Sequence, residues 1–412
     1  MTDAATHRAI EAVWRIESAR LIATLARMVR DVGLAEELAQ DALVAALEQW
    51  PASGVPRNAG AWLTAIAKRR AIDNWRRQEN LQKKYALLAR DLEQSPDGPD
   101  PDAVIDDDLL RLIFISCHPV LAKPARVALA LRLLCGLSTD EIARAFLVPT
   151  ATIAQRIVRA KRTLSAANVP FEVPTRSEFP ERLWSVLEAV YLVFNEGYSA
   201  TAGDDWMRPT LCQEALRLGR ILAQLVPKES EVHGLVALME LQASRIGART
   251  NAAGEPILLL EQDRGRWDHL QIARGLAALD QAKALGALGP YALQAAIAAC
   301  HATARIATET DWAQIAALYE ALSQLAPSPV VELNRAVAVS MAFGPTAGLE
   351  IVDELIARGM LAHYHLLPSV RGDLLAKLGR HAEARIEFER AASLTRNERE
   401  RTLLLERSAE GG

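Results

Sequence analysis

Apolar residues recur at intervals of three and four along almost the whole chain of 412 residues. This spacing is typical of amphipathic helices, whereas the alternating β-branched runs that indicate strands are absent. Hydrophobic residues make up 50% of the chain, which is enough to bury several cores and excludes a wholly disordered protein. We therefore predict an all-α protein, and the length suggests two or three domains at about 150 residues each.

Two proline-rich segments interrupt the helical pattern. The first, SPDGPDPD at 95–102, contains three prolines and a glycine, which a continuous helix does not tolerate. The second, AANVPFEVPT at 166–175, ends the preceding helix. These breaks predict two small helical domains at 1–78 and 109–168, an acidic linker between them at 79–108, and a C-terminal helical domain at 175–412.

Charge is distributed unevenly, although the formal net charge is only −4. Residues 109–168 hold nine Lys or Arg against two Asp or Glu, while the acidic linker holds three against nine. A basic block in an acidic protein indicates a polyanion, such as nucleic acid, as a partner. A solvated helix face would give the same count, so charge alone leaves both interpretations open.

The basic block contains the pattern of a helix-turn-helix. Ser138 and Glu141 form a capping box, which begins a first helix. A short turn at 148–150 follows, and Thr150 is the expected N-cap of a second helix. Leu147 stands where such turns often carry a glycine with a left-handed backbone.

The second of these helices separates an apolar face from a basic one. Its inner face is predicted to comprise Ile153, Ile157, Ala160 and Leu164. Its outer face carries Thr152, Gln155, Arg156, Arg159, Lys161 and Arg162. A helix with a polar start, a basic end and no acidic residue suits the DNA major groove. A helical hairpin with a solvated basic face is the alternative.

The N-terminal block supplies a second pair of features. Residues 34–49 predict an amphipathic helix whose outer face is acidic, a pattern that by itself most often marks a solvated face. Residues 61–78 carry five cations against Asp73 and include Trp62 and Trp75. Interleaved cations and aromatic rings suit single-stranded DNA, because bases stack on the rings while phosphates meet the cations. Either tryptophan taken alone is more often a core side chain.

Residues 10–168 resemble the group IV, extracytoplasmic-function sigma factors of bacterial RNA polymerase. The resemblance lies in the order of an acidic helix, a loop, a basic Trp-containing helix, an acidic linker and a basic helix-turn-helix. It is carried by AEELAQDALVAALEQWP, AWLTAIAKRRAIDNWRR and LSTDEIARAFLVPTATIAQRIVRAKRTL. It implies that the protein binds core RNA polymerase and promoter DNA to direct transcription initiation, with catalysis left to the polymerase.

The resemblance also implies roles for particular residues. The acidic helix, as part of sigma region 2, would bind core polymerase through Glu37, Gln40 and Asp41. The following loop and helix would hold the −10 element through Arg57, Asn58, Trp62, Lys68, Arg69, Asn74 and Arg77. The helix-turn-helix, as sigma region 4, would read the −35 element through Thr152, Gln155, Arg156 and Arg159, with Lys161 and Arg162 on phosphates.

The remaining 175–412 segment is too long for a plain sigma factor. Pairs of equivalent residues lie 35 positions apart, namely Gly344 and Gly379, Ala347 and Ala382, and Ile351 and Ile386. A helix, a glycine turn and an Ala-rich helix at that period are typical of tetratricopeptide-like repeats. Because such repeats expose a concave surface, we predict a regulatory domain that binds a protein or a ligand. An all-α domain needed only for folding is the alternative.

This segment resembles the tetratricopeptide-like C-terminal extension of one subgroup of these sigma factors. The motifs are VYLVFNEGYSAT, LEQDRGRWD, SPVVELNRAVAV and YHLLPSVRGDLL. The resemblance implies control by the fused domain, which acts on its neighbour at a high effective concentration. We hypothesise that the net charge of −7 carried by residues 169–412 masks the basic block.

Two polar motifs in this segment have alternative interpretations. NEGY at 195–198 either lines a ligand pocket or ends a helix that Gly197 caps, and we favour the cap. QDRGRWD at 262–268 is either a ligand or interdomain contact or a surface ion-pair network.

Enzyme, metal and membrane classes have no support in the sequence. The motifs GxxxxGK[ST], HExxH and GxSxG are absent, and no zinc-ligand spacing surrounds the close pair His363 and His365. We expect no enzymatic activity, no cofactor and no metal. Scattered cysteines and the lack of a signal or spanning segment favour the cytoplasm. The alternative function is a helix-turn-helix DNA-binding regulator that does not dock on polymerase.

Overall fold

The computed structural model describes residues 3–77, 101–200, 206–251 and 254–409. Within these ranges the chain is helical and contains no strand, apart from one isolated antiparallel bridge between Thr250 and Pro256. The all-α prediction is therefore confirmed for these residues. The chain divides into two compact units, residues 1–190 and 191–412. Most of the acidic linker predicted at 79–108 lies outside the described residues.

The first unit is built from seven described helices and part of an eighth. In chain order they are α1 Asp3–Val29, α2 Val32–Ser53, α3 Ala59–Arg77, α4 Pro101–Ser116, α5 Lys123–Leu133, α6 Thr139–Ala145 and α7 Thr150–Ala166. The eighth helix, α8 Phe179–Tyr198, contains the boundary between the two units.

The long helix α1 packs against α2, α3, α4 and α5. Asp31 is the N-cap of helix α2, and its side chain accepts a hydrogen bond from Leu34 N at 2.8 Å. Small side chains on its inner face, among them Ala35, Ala39 and Ala46, are 0% exposed. Their size allows close helix packing, and the opposite face of α2 remains available for other contacts.

The predicted helix-turn-helix is present as α6 and α7. Glu141 N donates to Ser138 Oγ at 3.1 Å, and Ser138 N donates to Glu141 Oε2 at 2.8 Å, which confirms the capping box. The predicted inner face of α7 is also confirmed, because all four of its side chains are buried: Ile153, Ile157, Ala160 and Leu164. Local sequence signals thus define both helices of the motif.

The turn between these helices differs from the prediction at one residue. Pro149, and not Thr150, occupies the N-cap position of α7, so the predicted cap was wrong. The fixed φ of proline suits this position, while the Thr150 hydroxyl donates to Asp140 Oδ1 at 2.8 Å. Leu147 has the left-handed backbone expected of a glycine there, with φ of +49° and a side chain that is 53% exposed.

The second unit continues from α8 as a succession of helices in which each packs against the next. They are α9 Pro209–Leu225, α10 Ser230–Ala243, α11 His269–Leu285, α12 Pro290–Thr303, α13 Trp312–Leu325, α14 Pro329–Phe343, α15 Pro345–Ala357, α16 Leu366–Lys377, α17 His381–Leu394 and α18 Glu398–Ala409. Single 3₁₀ turns lie at Ile246–Ala248, Arg264–Arg266 and Ala307–Glu309.

The 35-residue spacing marks two equivalent turns. Gly344, with φ of +102°, joins α14 to α15, and Gly379, with φ of +75°, precedes α17. Both backbones lie in the left-handed region that favours glycine. The predicted pattern of helix, glycine turn and helix is therefore present at both places.

The predicted helix cap at Gly197 was wrong. Gly197 lies inside α8, which continues to Tyr198, and does not end the helix in a left-handed conformation. A Cβ atom at this position would lie 2.7 Å from the backbone nitrogen of Cys212 in α9. Glycine is needed here because α9 approaches α8 closely.

Several features are absent from the residues that the structure describes. No described helix is both long and apolar enough to cross a membrane. No cluster of three His, Cys, Asp or Glu side chains in the described ranges is arranged to hold a metal ion. All four cysteines are free thiols, and three of them are buried.

Candidate nucleic-acid interface

The acidic outer face of α2 is the candidate polymerase contact. Glu37 is exposed, and Asp41 is exposed but lies 3.1 Å from Arg70 Nη1 of α3. Gln40 is half-buried, and its Nε2 donates to Glu36 Oε1 at 2.9 Å. The three predicted residues therefore share one side of α2, with Glu37 the most available of them.

The loop before α3 and the start of that helix carry the predicted −10 contacts. Arg57 and Asn58 are exposed, and Asn58 Oδ1 accepts a hydrogen bond from Ala61 N at 3.0 Å, which caps α3. The half-buried Trp62 ring packs edge-on against the fully buried Trp50, with ring centroids 5.3 Å apart. Trp62 is thus held in place by the core while part of its ring remains accessible.

Further predicted −10 contacts lie farther along α3. Arg69 is exposed and Lys68 is half-buried. Asn74 and Arg77 belong to α3, but their side chains lie outside what the structure describes. Among the side chains that the structure describes, the predicted −10 surface therefore comprises the loop residues Arg57 and Asn58, the Trp62 ring, and the cations Lys68 and Arg69.

Helix α7 exposes most of its predicted DNA-reading side chains. Thr152, Gln155, Arg159 and Arg162 are exposed, and Arg156 is half-buried. Several of them line an open groove of about 350 Å³ between α7 and the segment that joins α4 to α5. The groove has no acidic lining residue, and its polar and basic groups come from α7, while Val120, Leu121 and Ala122 line the facing side.

Lys161 is the exception on α7, because it does not face solvent freely. Its ammonium group contacts the carboxylate of Glu36 on α2, and Arg132 Nε of α5 lies 2.6 Å from the same carboxylate. Glu36 is only 4% exposed. A carboxylate buried to this degree depends on both cations, since removing one partner of such a cluster leaves an uncompensated charge.

Two further ion pairs join the N-terminal helices to the helix-turn-helix half of the first unit. Arg15 Nη2 of α1 lies 2.8 Å from Glu141 Oε1 of α6. Arg27 Nε of α1 lies 2.8 Å from Asp108 Oδ2 of α4, which is 1% exposed. Burial raises the pKa of Asp108, although Arg27 and Arg111 oppose the shift. We call the contacts of Glu36, Arg15 and Arg27 the interregion clasp.

A cavity of about 650 Å³ lies beside the clasp. Its walls come from both halves of the first unit and include Arg27, Arg30, Arg111 and Lys161. The cavity also contains the carboxylates Asp31 and Glu172 in its lining. The clasp thus lies beside an open, charged space, while α1 packs against α4 elsewhere in the unit.

Comparison with known proteins identifies both halves of this unit. Residues 15–80 match the sigma-70 region 2 family, and residues 111–164 match the sigma-70 region 4 family. The ECF RNA polymerase sigma factor SigK of Mycolicibacterium vanbaalenii is 30% identical over 156 residues, covering 35% of this chain and 74% of SigK. The chain belongs to the ECF RNA polymerase sigma factors.

The chain is also similar to two further proteins. The probable ECF sigma factor SigI of Mycobacterium tuberculosis is 28% identical over 170 residues, which cover 40% of this chain and 58% of SigI. An uncharacterized protein of Rhizobium meliloti, R00370, is 46% identical over 380 residues, or 90% of this chain and 89% of that protein. No solved structure matches the chain.

The sigma factor directs promoter recognition, and its family implies core RNA polymerase and promoter DNA as partners. This favours the predicted function over a regulator that acts without polymerase. Sigma factors are not an enzyme family. The sigma factor also carries an additional segment, because residues 182–283 match a family of unknown function, DUF6596.

Sequence reasoning missed Glu36 in this sigma factor. One signal was available: Glu36 lies four residues after the buried Val32 and three before the buried Ala39, on the apolar side of α2. A carboxylate on an apolar stripe indicates a buried ion pair, but the partners Arg132 and Lys161 are about a hundred residues away in sequence. The pairing itself is therefore a property of the tertiary fold.

Proposed function

We propose that the residues predicted from the sequence perform the sigma function at three surfaces. Glu37, Gln40 and Asp41 bind core polymerase. Arg57, Asn58, Trp62, Lys68, Arg69, Asn74 and Arg77 hold the −10 element. Thr152, Gln155, Arg156, Arg159, Lys161 and Arg162 read and hold the −35 element. The exposure of Glu37, Arg57 and Gln155 supports these roles. A factor that acts at the chromosome works in the cytoplasm.

We further propose that the clasped first unit is the polymerase-free state. Elements centred near −10 and −35 are separated by about 25 base pairs, or about 85 Å along B-form DNA. Regions 2 and 4 therefore have to stand far apart on a promoter, whereas Glu36 and Lys161 are in contact here. That contact is the observation on which the proposal rests, because it occupies a cation assigned to DNA phosphate.

The assignment of α2 is tested by core polymerase binding. Reversing two charges in Glu37→Lys/Asp41→Lys is expected to weaken binding by the full chain at least about tenfold, because charge complementarity at the contact is lost. The matched control, Glu11→Lys/Glu181→Lys, reverses two exposed carboxylates elsewhere in the first unit and should bind as the wild type does. Equal binding by both variants would contradict the docking role.

We also propose that the C-terminal segment controls the activity of the sigma regions. The domain limits 1–78, 79–108, 109–168 and 175–412 are part of this proposal. A truncation has to retain α8, because Arg182 Nη2 donates to Phe114 O at 3.0 Å and Ser185 Oγ donates to Cys117 O at 2.6 Å. Masking predicts higher promoter-directed transcription from residues 1–198 than from the full chain. Loss of transcription would instead make the segment a requirement.

A further inference from the structure

Two polar motifs of the second unit meet around one arginine that neither motif contains. Tyr198 ends the NEGY motif, and Trp267 belongs to QDRGRWD. The Arg245 guanidinium carbon lies 5.8 Å from the centroid of each of these rings. Arg249 lies 3.7 Å from the Tyr198 centroid, and Arg264 lies 5.0 Å from the Trp267 centroid. Three guanidinium groups and two aromatic rings thus form one arginine–aromatic cluster.

The cluster is buried and is not the surface ion-pair network that the sequence allowed. Arg249 is 8% exposed, Arg264 is 9% exposed and Trp267 is 3% exposed. Arg264 donates to carbonyl groups of His301 and Ala304 at 2.8 and 2.7 Å. Among the described residues, no carboxylate pairs with any of the three arginines.

The hydrogen-bonding capacity that remains in the cluster is mainly that of donors. Three N–H groups are buried without a partner among the described residues, namely Arg245 Nε, Arg264 Nε and Trp267 Nε1. The His301 Nδ1 atom is also unpaired. Burial, together with the charges of Arg245 and Arg264, lowers the pKa of His301 to about 4, so this ring is neutral at physiological pH and adds no further positive charge.

Burying like charges and unpaired donors together is unfavourable unless a group of opposite charge accepts the hydrogen bonds. Arg245 is the most accessible member, because it is half-buried whereas Arg249 and Arg264 are buried. Its guanidinium is planar and suits the two oxygens of a carboxylate or a phosphate. The rings of Tyr198 and Trp267 flank it and provide apolar walls.

We propose that the arginine–aromatic cluster is the binding site for a small oxyanion, a carboxylate or phosphate group, held by Arg245 between Tyr198 and Trp267. The site lies within the segment that matches DUF6596. Binding of such an anion would allow the C-terminal segment to respond to a small molecule. The binding itself does not depend on the proposed control of the sigma regions.

The test is calorimetric titration of the full chain with inorganic phosphate and, separately, with benzoate. The wild type is expected to bind at least one of them, and Arg245→Gln to bind at least about tenfold more weakly, as expected for losing a charge-assisted hydrogen bond. The matched control is Arg274→Gln, which neutralises an exposed arginine of α11 and should leave the affinity unchanged. Phosphate binding indicates a phosphorylated ligand, and benzoate binding indicates a carboxylate.

A second variant covers the case in which Arg245→Gln fails to fold. Trp267→Phe keeps an aromatic ring but removes the buried N–H, so it should fold and bind the same anion more weakly. The absence of binding of both anions by the wild type would overturn the proposal. Equal weakening in Arg274→Gln would also overturn it, because the effect would then reflect net charge and not this site.

Discussion

The ammonium group of Lys161 contacts the buried carboxylate of Glu36, and this contact joins the recognition helix α7 to the predicted docking helix α2. A residue assigned to the −35 element is thereby engaged by a residue next to the polymerase contact. If the clasped unit is the polymerase-free state, as we propose, binding of polymerase and binding of promoter DNA both require the clasp to open. Apparent affinity then falls, because the binding-competent open form is rarely populated.

Removing the charge of Glu36 should favour the open form. In Glu36→Gln, Arg132 and Lys161 lose their shared counter-charge, and we expect the closed form to lose about 2 kcal/mol, less than for a wholly buried pair. Their side chains keep 17% and 21% exposure, which reduces the penalty. Core polymerase should therefore bind this variant more tightly.

The measurement is equilibrium binding of labelled full-length chain to core polymerase. Glu48→Gln is the matched control, because it neutralises an exposed carboxylate at the other end of the same helix. Unchanged affinity in Glu36→Gln would mean that the clasp does not compete with polymerase binding.

The strained turn of the helix-turn-helix should tolerate glycine better than leucine. A left-handed backbone costs a non-glycine residue about 1–2 kcal/mol, and Leu147 buries little of its side chain. Glycine loses more conformational entropy on folding than leucine does, which offsets part of the relieved strain. Leu147→Gly is therefore expected to stabilise the first unit by a net amount of roughly 0.5–1 kcal/mol. Leu147→Ala, which keeps a Cβ atom, should show no such gain in denaturant unfolding. Lower stability in Leu147→Gly than in Leu147→Ala would refute the strain.

The capping box should make region 4 sensitive to acid. Burial opposes ionisation of Glu141, but hydrogen bonds from Ser138 and the charge of Arg15 lower its pKa below the usual value. A carboxyl group whose pKa is lowered by folding stabilises the fold above its unfolded pKa of about 4.3, and this contribution is lost as the pH falls through the folded pKa.

Glu141→Gln is therefore expected to lose stability at neutral pH and to show a flatter decline below about pH 4.3 than the wild type. Asp140→Asn provides the comparison at the neighbouring carboxyl. Denaturant unfolding of each variant across the acid range measures the slope, and parallel curves for Glu141→Gln and wild type would rule out this role.

Cations on α7 should contribute to the salt dependence of DNA binding. Each phosphate contact that is lost reduces the slope of log K against log salt by about 0.9. Arg162→Ala is expected to produce such a reduction with little change in sequence preference, since a phosphate contact carries no base information. Arg20→Ala, at an exposed arginine of α1, should leave the slope unchanged. Fluorescence anisotropy of duplex binding measures both slopes, and identical slopes would remove Arg162 from the interface.

The elements of the fold that depend on neighbouring residues could be predicted from the sequence. The capping box of Ser138 and Glu141, the inner face of α7 and the glycine turns at Gly344 and Gly379 all follow from local spacing. Thr150 shows the limit of such reasoning. Pro149 takes the N-cap position that the sequence assigned to Thr150, and the Thr150 hydroxyl donates to Asp140 instead.

The features that sequence could not supply depend on contacts between distant residues. Helical periodicity places Lys161 on the outer face of α7, but that part of the face is covered by α2 in the folded unit. Likewise, the sequence allowed Arg264 and Trp267 to be surface residues, whereas both are buried in the structure. Their burial depends on residues distant in sequence, because Arg264 donates to the Ala304 carbonyl group after α12 and Trp267 packs near Arg245. A pattern along one helix does not reveal which other helix covers it.

The distance between regions 2 and 4 tests the central claim most directly. Fluorescent labels at Gln49→Cys on α2 and Ser165→Cys on α7, both exposed positions, would report this distance. The labelled protein would also carry Cys300→Ser, because Cys300 is the one native thiol that is not buried. We predict high energy transfer in the free full-length chain, a marked fall when core polymerase is added, and an intermediate value in free Glu36→Gln. Low transfer in the free wild-type chain, or no change when polymerase binds, would contradict the clasped state.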